Sequence, residues 1–347
     1  NTFSPRLTGG SPQKFCNKDC KRMFEKSIRQ WGYDAHVKHT DNIIKLHPKS
    51  NPYNILIKRL KEVGFEVHTL DIFNKQGIVP KYCLFFDIPK ISISKIVNTS
   101  KTIKIVLLRE ADVILKRNYN KSYHSQFDKI LTWKTSTVDD KRYFYFPSAK
   151  VNLSKKVNVK NPLKRKFCCL VNSNIRSNKT GELYSERLRI IKWFEVFQKN
   201  FFDLYGFGWD KKCLLILGRN FYVPFFFKNK RVSYKGSVSN KIETQSMYKF
   251  SICFQNTSII NNYLDEKIFD SFLANTVPVY WGCPNINELI PSNTFIDYRK
   301  FKSIEDLFNY MHNMSNDEYI NYISNINKFL ESEQIQKFSL DNWLDSI

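Results

Sequence analysis

Apolar residues along this chain fall into two rhythms, one at helical spacing and one in unbroken runs, and the pattern starts near residue 50. Tyr53-Asn-Ile-Leu-Ile-Lys-Arg-Leu-Lys-Glu-Val63 places apolar side chains at helical spacing and stops at Gly64, a good helix C-terminal residue. Phe65–Leu70 alternates as a short strand does. Tyr82–Phe86, Ile103–Leu108 and Phe127–Trp133 are apolar runs, the first ending at Asp87 and the second at Arg109-Glu110. A second set begins at Phe167. Phe167–Val171, Phe202–Tyr205, Phe250–Phe254 and Val277–Trp281 read as strands, with Pro278 tolerated near the start of the last. Tyr184–Asn200 and Leu264–Leu273 read as helices, and Gly206 and Gly208 as a turn. Ser303-x-x-Asp306 and Ser315-x-x-Glu318 mark helix N-termini, the second followed by an apolar stripe of Tyr319, Tyr322, Ile323, Ile326 and Leu330.

Fully apolar strands between helices predict parallel sheets covered on both faces, which bind ligands beyond the carboxyl ends of their strands. Asp87 and Glu110 occupy that position. Two such sets predict two α/β domains, over 49–150 and 167–347, with a cleft between them. Residues 151–166 read as a solvated basic linker: from Ala149 to Lys166 there are lysines and Arg165, no acid, and Pro162. Residues 1–48 read as a poorly ordered N-terminal extension. Cys16 and Cys20 form a C-x3-C there, with His36 and His39 as the only nearby completion of a zinc set; four ligands are needed, and no metal site is expected.

Composition narrows the class. Of 347 residues, 42% are hydrophobic, too many for a disordered chain, and no apolar run approaches the roughly 18 residues of a membrane span. Lys plus Arg is 55 against 32 acids, a net charge of +23. Such a surface attracts nucleic acid, anionic lipid or a phosphorylated substrate, although a chain this heavy in Lys, Asn, Ile and Phe acquires charge from AT-rich coding alone. No helix-turn-helix, RNP aromatic motif or zinc knuckle supports nucleic-acid binding. The eight cysteines form no disulfide scaffold; Cys83, Cys168, Cys169 and Cys253 sit in apolar segments and read as core in a reducing compartment.

The chemistry concentrates between Tyr248 and Asp297. Asp265-Glu266-Lys267 opens a helix after a strand, and a helix N-terminus suits a diphosphate. Lys267 can pair with a phosphate, Glu266 can accept from sugar hydroxyls, Asn256 can donate to a phosphate oxygen, and Tyr263 can stack or donate. By spacing alone, a solvated Glu-Lys at a helix start explains these residues equally well. The wider run settles the preference. Tyr248-Lys-Phe-Ser-Ile-Cys-Phe-Gln-Asn-Thr257, Tyr263-Leu-Asp-Glu-Lys267 and Ala274-Asn-Thr-Val-Pro-Val-Tyr-Trp-Gly282 resemble glycosyltransferase family 10, the α-1,3/α-1,4-fucosyltransferases. The resemblance is dense over about 50 residues and thinner over about 180 more. Gln255 stands where the family has Glu, Asp265 where it has Thr, and Asn275 where it has Gly; one extra residue lies between Asn256 and Tyr263.

The resemblance implies an α/β fold of GT-B type, two Rossmann-like domains with parallel sheets facing a central cleft. It implies an inverting transfer of fucose from GDP-β-L-fucose to a glycan hydroxyl, in α-1,3 or α-1,4 linkage, without an essential metal. Donor binding falls to Arg187, Asn256, Tyr263, Glu266 and Lys267. Arg187 starts the helix after the Asn172-Ser-Asn174 loop, with Arg189 as its competitor. The base is Glu110, from the acceptor domain, with Asp112 and Asp87 as alternatives. The acceptor is an oligosaccharide, lipid-linked or on a surface glycan. Phe221-Tyr-Val-Pro-Phe-Phe-Phe227 beside Lys228, Lys230 and Arg231 suits peripheral contact with the inner face of a membrane in a cytoplasmic enzyme, or a buried strand with a basic edge. A Golgi lumenal fragment without its anchor is the other location. The remaining alternatives are a transferase of the same fold using another nucleotide sugar, and a polyanion-binding protein.

Overall fold

The apolar runs become strands. The structure is a computed structural model that describes residues 52–69, 72–73, 76–97, 101–224 and 231–345; the C-x3-C motif, His36 and His39 lie outside them, as does the extension 1–48. Helix α1 (Pro52–Glu62) ends as its sequence requires: Gly64 has φ 91° and the Phe65 amide turns back to Leu60 O at 2.9 Å. That bond closes the helix end and takes the Phe65 N–H out of any ladder, so residues 65–69 form no strand, against expectation.

By contacts the chain divides into two compact units, one of residues up to Leu107 with Ser122–Ile130, the other of Leu108–Lys121 with Leu131–Ile347. Strands β1 (Tyr82–Phe86) and β2 (Ile103–Leu108) pair in parallel, Phe85 opposite Val106. With β3 (Lys129–Thr132) and β4 (Tyr143–Tyr145) they form a sheet in the order β1-β2-β3-β4. The three-residue β4 carries no sequence signal of its own.

In the second unit, β5 (Lys166–Val171) leads to α2 (Tyr184–Phe197) and β6 (Phe202–Tyr205). A two-stranded antiparallel hairpin follows, β7 (Lys211–Ile216) with β8 (Arg219–Pro224). Then come α3 (Lys241–Ser246), β9 (Tyr248–Phe254), α4 (Glu266–Leu273), β10 (Val277–Trp281), β11 (Ile296–Asp297), α5 (Ile304–His312) and α6 (Asn316–Glu331). The sheet order is β11-β10-β9-β5-β6, all parallel. The alternation of strand and helix covers both faces, and the main core lies here, from Leu170, Phe250 and Val279 out to Phe194, Phe272 and Ile326. Ser303 and Ser315 accept from the Asp306 and Glu318 amides and cap α5 and α6 as read from the sequence. At Gly206 a Cβ would lie 2.0 Å from Asn172 O, so the β5 and β6 ends meet only through glycine.

Three expectations change. Residues 151–166 keep their lysines exposed, as expected of a solvated basic segment, but they are tied at points to the second unit and are not a free linker. Val151 is buried, its amide bonds to Phe338 O and its carbonyl accepts from Leu340 N; Val157 N bonds to Leu273 O. Arg165 donates to Ser246 O, Thr276 Oγ1, Asn275 O and the Tyr319 hydroxyl, so oxygens of the second unit take the place of the missing acids. The segment 108–150 divides differently from the predicted boundary at 150. Ala111 and Val113 bury against Trp133 and Tyr263, which carries Glu110 into the second unit. Phe221 belongs to a strand but is half exposed rather than buried; Phe225–Phe227, Lys228 and Lys230 lie outside the described residues. Arg231 is ion-paired to Glu195 at 2.6 Å.

Candidate active site

The segments that follow the carboxyl ends of β5 and β9 hold the donor-side groups singled out in the sequence. Arg187 lies one turn into α2 and is 3% exposed. Its Nε and Nη2 donate to Phe254 O, at 3.1 and 2.6 Å, and Nη2 also reaches Asn256 Oδ1 at 3.0 Å. The guanidinium lies over the Tyr184 ring, 4.8 Å from its centroid. Nη1 makes no hydrogen bond among the described residues. Arg187 is thus fixed by one edge at the end of β9 while keeping two N–H donors, the arrangement a phosphate-binding guanidinium needs. Arg189 faces elsewhere, paired to Glu186 at 2.6 Å and to the Tyr298 hydroxyl.

Asn256 is held by its backbone, its carbonyl accepting from Leu183 N. On either side of it, Gln255 Nε2 and Thr257 Oγ1 are buried without partners among the described residues. Gln255 Oε1 accepts from Cys283 N at 3.2 Å. Two unmet polar groups beside an anchored guanidinium are expensive unless water or ligand satisfies them.

The N-terminus of α4 adds Lys267. Asp265 caps the helix through the Lys267 amide and pairs with the Lys267 ammonium at 2.5 Å; both residues are nearly buried. Glu266 is exposed at the helix start and 3.9 Å from Lys241, which pairs with Asp270 at 2.7 Å. Desolvation by the surrounding protein works against the Glu266 charge even though much of the side chain's surface is open, but the Lys267, Lys241 and Lys150 ammonium groups outweigh it and hold its carboxyl well below the usual range.

Tyr263 is buried against Trp133, ring centroids 4.9 Å apart, and burial lifts its phenol well above the usual range, with Asp265, Glu110 and Glu266 adding to the effect. Glu110 follows β2 by two residues. Its backbone carbonyl accepts from Asn118 Nδ2 and the Tyr119 hydroxyl, which fixes the chain at that point. Its charge acts on Tyr184, Tyr263 and Lys150. Burial and then Arg109 bring Lys150 down to about 8, against the opposing charges of Glu266 and Glu110. Of the alternatives, Asp112 is exposed, with its carboxylate on the Val113 amide, and Asp87 is buried in the first unit at φ 62°.

The second unit therefore brings together Glu110, Arg187, Asn256, Tyr263, Glu266 and Lys267, and the base candidate shares a unit with the donor candidates instead of facing them from another domain. Sequence reading passed over Tyr184, Lys241 and Lys150. Tyr184 had a signal, three residues before Arg187 on the same helix face. The two lysines had none, being indistinguishable by type from the other lysines. No group of three or more His, Cys, Asp or Glu placed to hold a metal occurs among the described residues.

Residues 161–339, just over half of the chain, match the family model described as "Glycosyltransferase family 10 (fucosyltransferase) C-term". The "Alpha-(1,3)-fucosyltransferase FucT" of Helicobacter pylori is 36% identical over 75 residues, 22% of this chain and 16% of that protein. The mouse "4-galactosyl-N-acetylglucosaminide 3-alpha-L-fucosyltransferase 9" is 35% identical over 104 residues, 27% of this chain and 29% of that protein. The chain thus spans less than a third of the length of the curated relatives it matches. Among solved structures, an "alpha-glucosyltransferase in complex with UDP" and a mismatched 13-mer DNA superposes with TM-score 0.53 at 13% identity, over 80% of this chain and 83% of that one. The fold class is α/β of GT-B type, as expected.

Proposed function

The chain belongs to glycosyltransferase family 10, and from that premise we propose that it transfers fucose from GDP-fucose to a hydroxyl of a glycan acceptor, with inversion. The observation that supports this most is the convergence at the carboxyl edge of the second sheet: a half-occupied Arg187, the adjacent unmet groups of Gln255 and Thr257, and the α4 N-terminus with Lys267. Such an edge suits a diphosphate.

In this reading the Glu110 carboxylate takes the acceptor hydroxyl's proton as that oxygen attacks the anomeric carbon. The bond from that carbon to the β-phosphate oxygen breaks, and GDP leaves with the electron pair. Arg187 and Lys267 offset the charge gained by the diphosphate, Asn256 positions it, and Glu266 and Tyr263 orient the sugar. The reading includes no resident metal, since two cations and a helix N-terminus supply the positive charge. The linkage, α-1,3 or α-1,4, is set by acceptor contacts and stays open between the two.

Thermal melting with GDP, GDP-fucose, GDP-mannose and UDP-glucose tests it. A ligand that binds only the folded state at 100 times its Kd adds about 2.7 kcal/mol. GDP and GDP-fucose should raise Tm by several degrees while UDP-glucose does not, and Lys267→Ala should lose most of the shift. A larger response to UDP-glucose would favour a transferase of the same fold with another donor.

A further inference from the structure

The amino ends of the same parallel sheet hold a cavity of about 670 Å³, a volume typical of small-ligand sites, that the proposed transfer does not use. The first residues of β5, β6 and β9, Lys166, Phe202 and Tyr248, line it. β5 is six residues long, so this edge lies about 20 Å from the carboxyl edge where Arg187 and Asn256 sit.

The charge in this cavity is one-sided. Asp203 is the sole acid among its lining residues, and its carboxylate already accepts from the Tyr248 hydroxyl at 2.6 Å and meets Lys166 at 3.0 Å and Lys235 at 3.4 Å. Lys199 and Lys249 also line the cavity and have no carboxylate partner among the described residues; Lys249 lies over the Tyr319 ring at 5.5 Å. Arg165 is committed to internal oxygens. Four lysines against one shared carboxylate leave a deficit that an anion fills, and phosphate is the anion that ammonium groups neutralise as point charges.

The rest of the lining is aromatic. His312 is exposed and stacks on Phe308 at 18°, ring centroids 5.3 Å apart; Phe167 and Phe201, also lining residues, meet its ring edge-on. A ring already held in a stack, with its edge neighbours fixed, is a preformed platform for a flat heterocycle. A bare phosphate would use the lysines and leave the rings and most of the volume idle, and a phosphorylated sugar presents no π face.

We infer that this cavity binds a nucleoside phosphate, with the phosphate on Lys166, Lys199, Lys235 and Lys249 and the base on the His312 platform. The inference stands apart from the proposed transfer, which uses the opposite edge of the sheet. Calorimetric titration of the full chain with ADP and with inorganic pyrophosphate tests it. ADP should bind at least tenfold more tightly than pyrophosphate. Lys199→Ala/Lys249→Ala should weaken both tenfold or more, and His312→Ala should weaken ADP alone, while the GDP-fucose transfer proposed for the opposite edge is unchanged in both variants. Equal affinities for ADP and pyrophosphate would remove the base from the site and overturn the assignment. So would ADP binding that neither variant alters, because the nucleotide then sits elsewhere.

Discussion

The Lys267 ammonium lies 2.5 Å from Oδ2 of Asp265, the residue that caps Lys267's own helix. The cation that the proposed function offers to a diphosphate is thus already engaged by a carboxylate two residues away, and both are nearly buried. An arriving donor must draw Lys267 off Asp265 and tolerate that negative charge nearby. Asp265→Thr keeps a capping oxygen and removes the charge. GDP should then bind about tenfold more tightly, or about 1.4 kcal/mol, while the unliganded variant melts lower because Lys267 has lost its partner. Calorimetric titration with GDP reads the first half and thermal melting of the unliganded proteins the second, and weaker GDP binding would show that Asp265 orients Lys267 for the ligand.

Glu110 has a different kind of test. Its backbone is pinned by Asn118 and Tyr119, so replacing the carboxylate by an amide should leave the local fold intact. Glu110→Gln should bind GDP-fucose as the parent does and lose about 10²–10⁴-fold in kcat, the range of a general base. Transfer at parental rate would move the role to Asp112, which lies in the same unit.

Lys150 makes a pH prediction. Its ammonium is buried among Arg109, Glu110 and Glu266, 5.1 Å from the Trp343 ring, with its pKa lowered to about 8. The unfolded chain returns it to about 10.4, so between those values the unfolded state holds more protons and stability rises with pH. Below pH 8 the full penalty for burying the charge applies, roughly 3 kcal/mol at most. Lys150→Met should therefore be more stable than the parent at pH 7, with the advantage shrinking toward pH 10. Denaturant unfolding of both proteins at the two pH values measures this, and a difference that does not change with pH would show that Lys150 is not desolvated.

Asn275 follows α4 at φ 54°, in the left-handed region where glycine is at ease and Asn is tolerated. The exchange of the family's Gly for Asn therefore keeps the same backbone turn. Asn275→Gly should change stability by only a few tenths of a kcal/mol, whereas Asn275→Val should cost about 2 kcal/mol. Thermal melting distinguishes them.

The strands were legible because residues buried on both faces must be apolar throughout: Cys168–Val171 and Phe250–Phe254 are nearly inaccessible. The helix caps were legible because Ser303 and Ser315 act through bonds three residues long. The proposed donor-binding groups stood out only once the wider motif gave Arg187 and Lys267 a context. What could not be read is what tertiary packing does to lysines and short strands. Lys150 and the chain from Val151 onward looked solvated because lysine rows usually are. The lysines after Val151 do stay exposed, but the backbone is tied down at Val151 and Val157 by bonds to Phe338, Leu340 and Leu273, far along the sequence. Only β8 of the hairpin was foreshadowed, as a strand from Phe221, and β7 was missed for a related reason: Lys211, Lys212 and Arg219 break up the apolar pattern, and Leu217 at the turn is 98% exposed.

Glu110, the proposed base, and the proposed donor-binding groups are drawn from one body of contacts, although more than seventy residues separate Glu110 from Arg187 along the chain. Under the proposed reading, loosening of the first unit around β1, by warming or by mild denaturant, would leave the base beside the groups that bind the donor. The chemistry would outlast partial melting of its own amino-terminal portion, and inactivation on heating should track the second transition of the chain rather than the first.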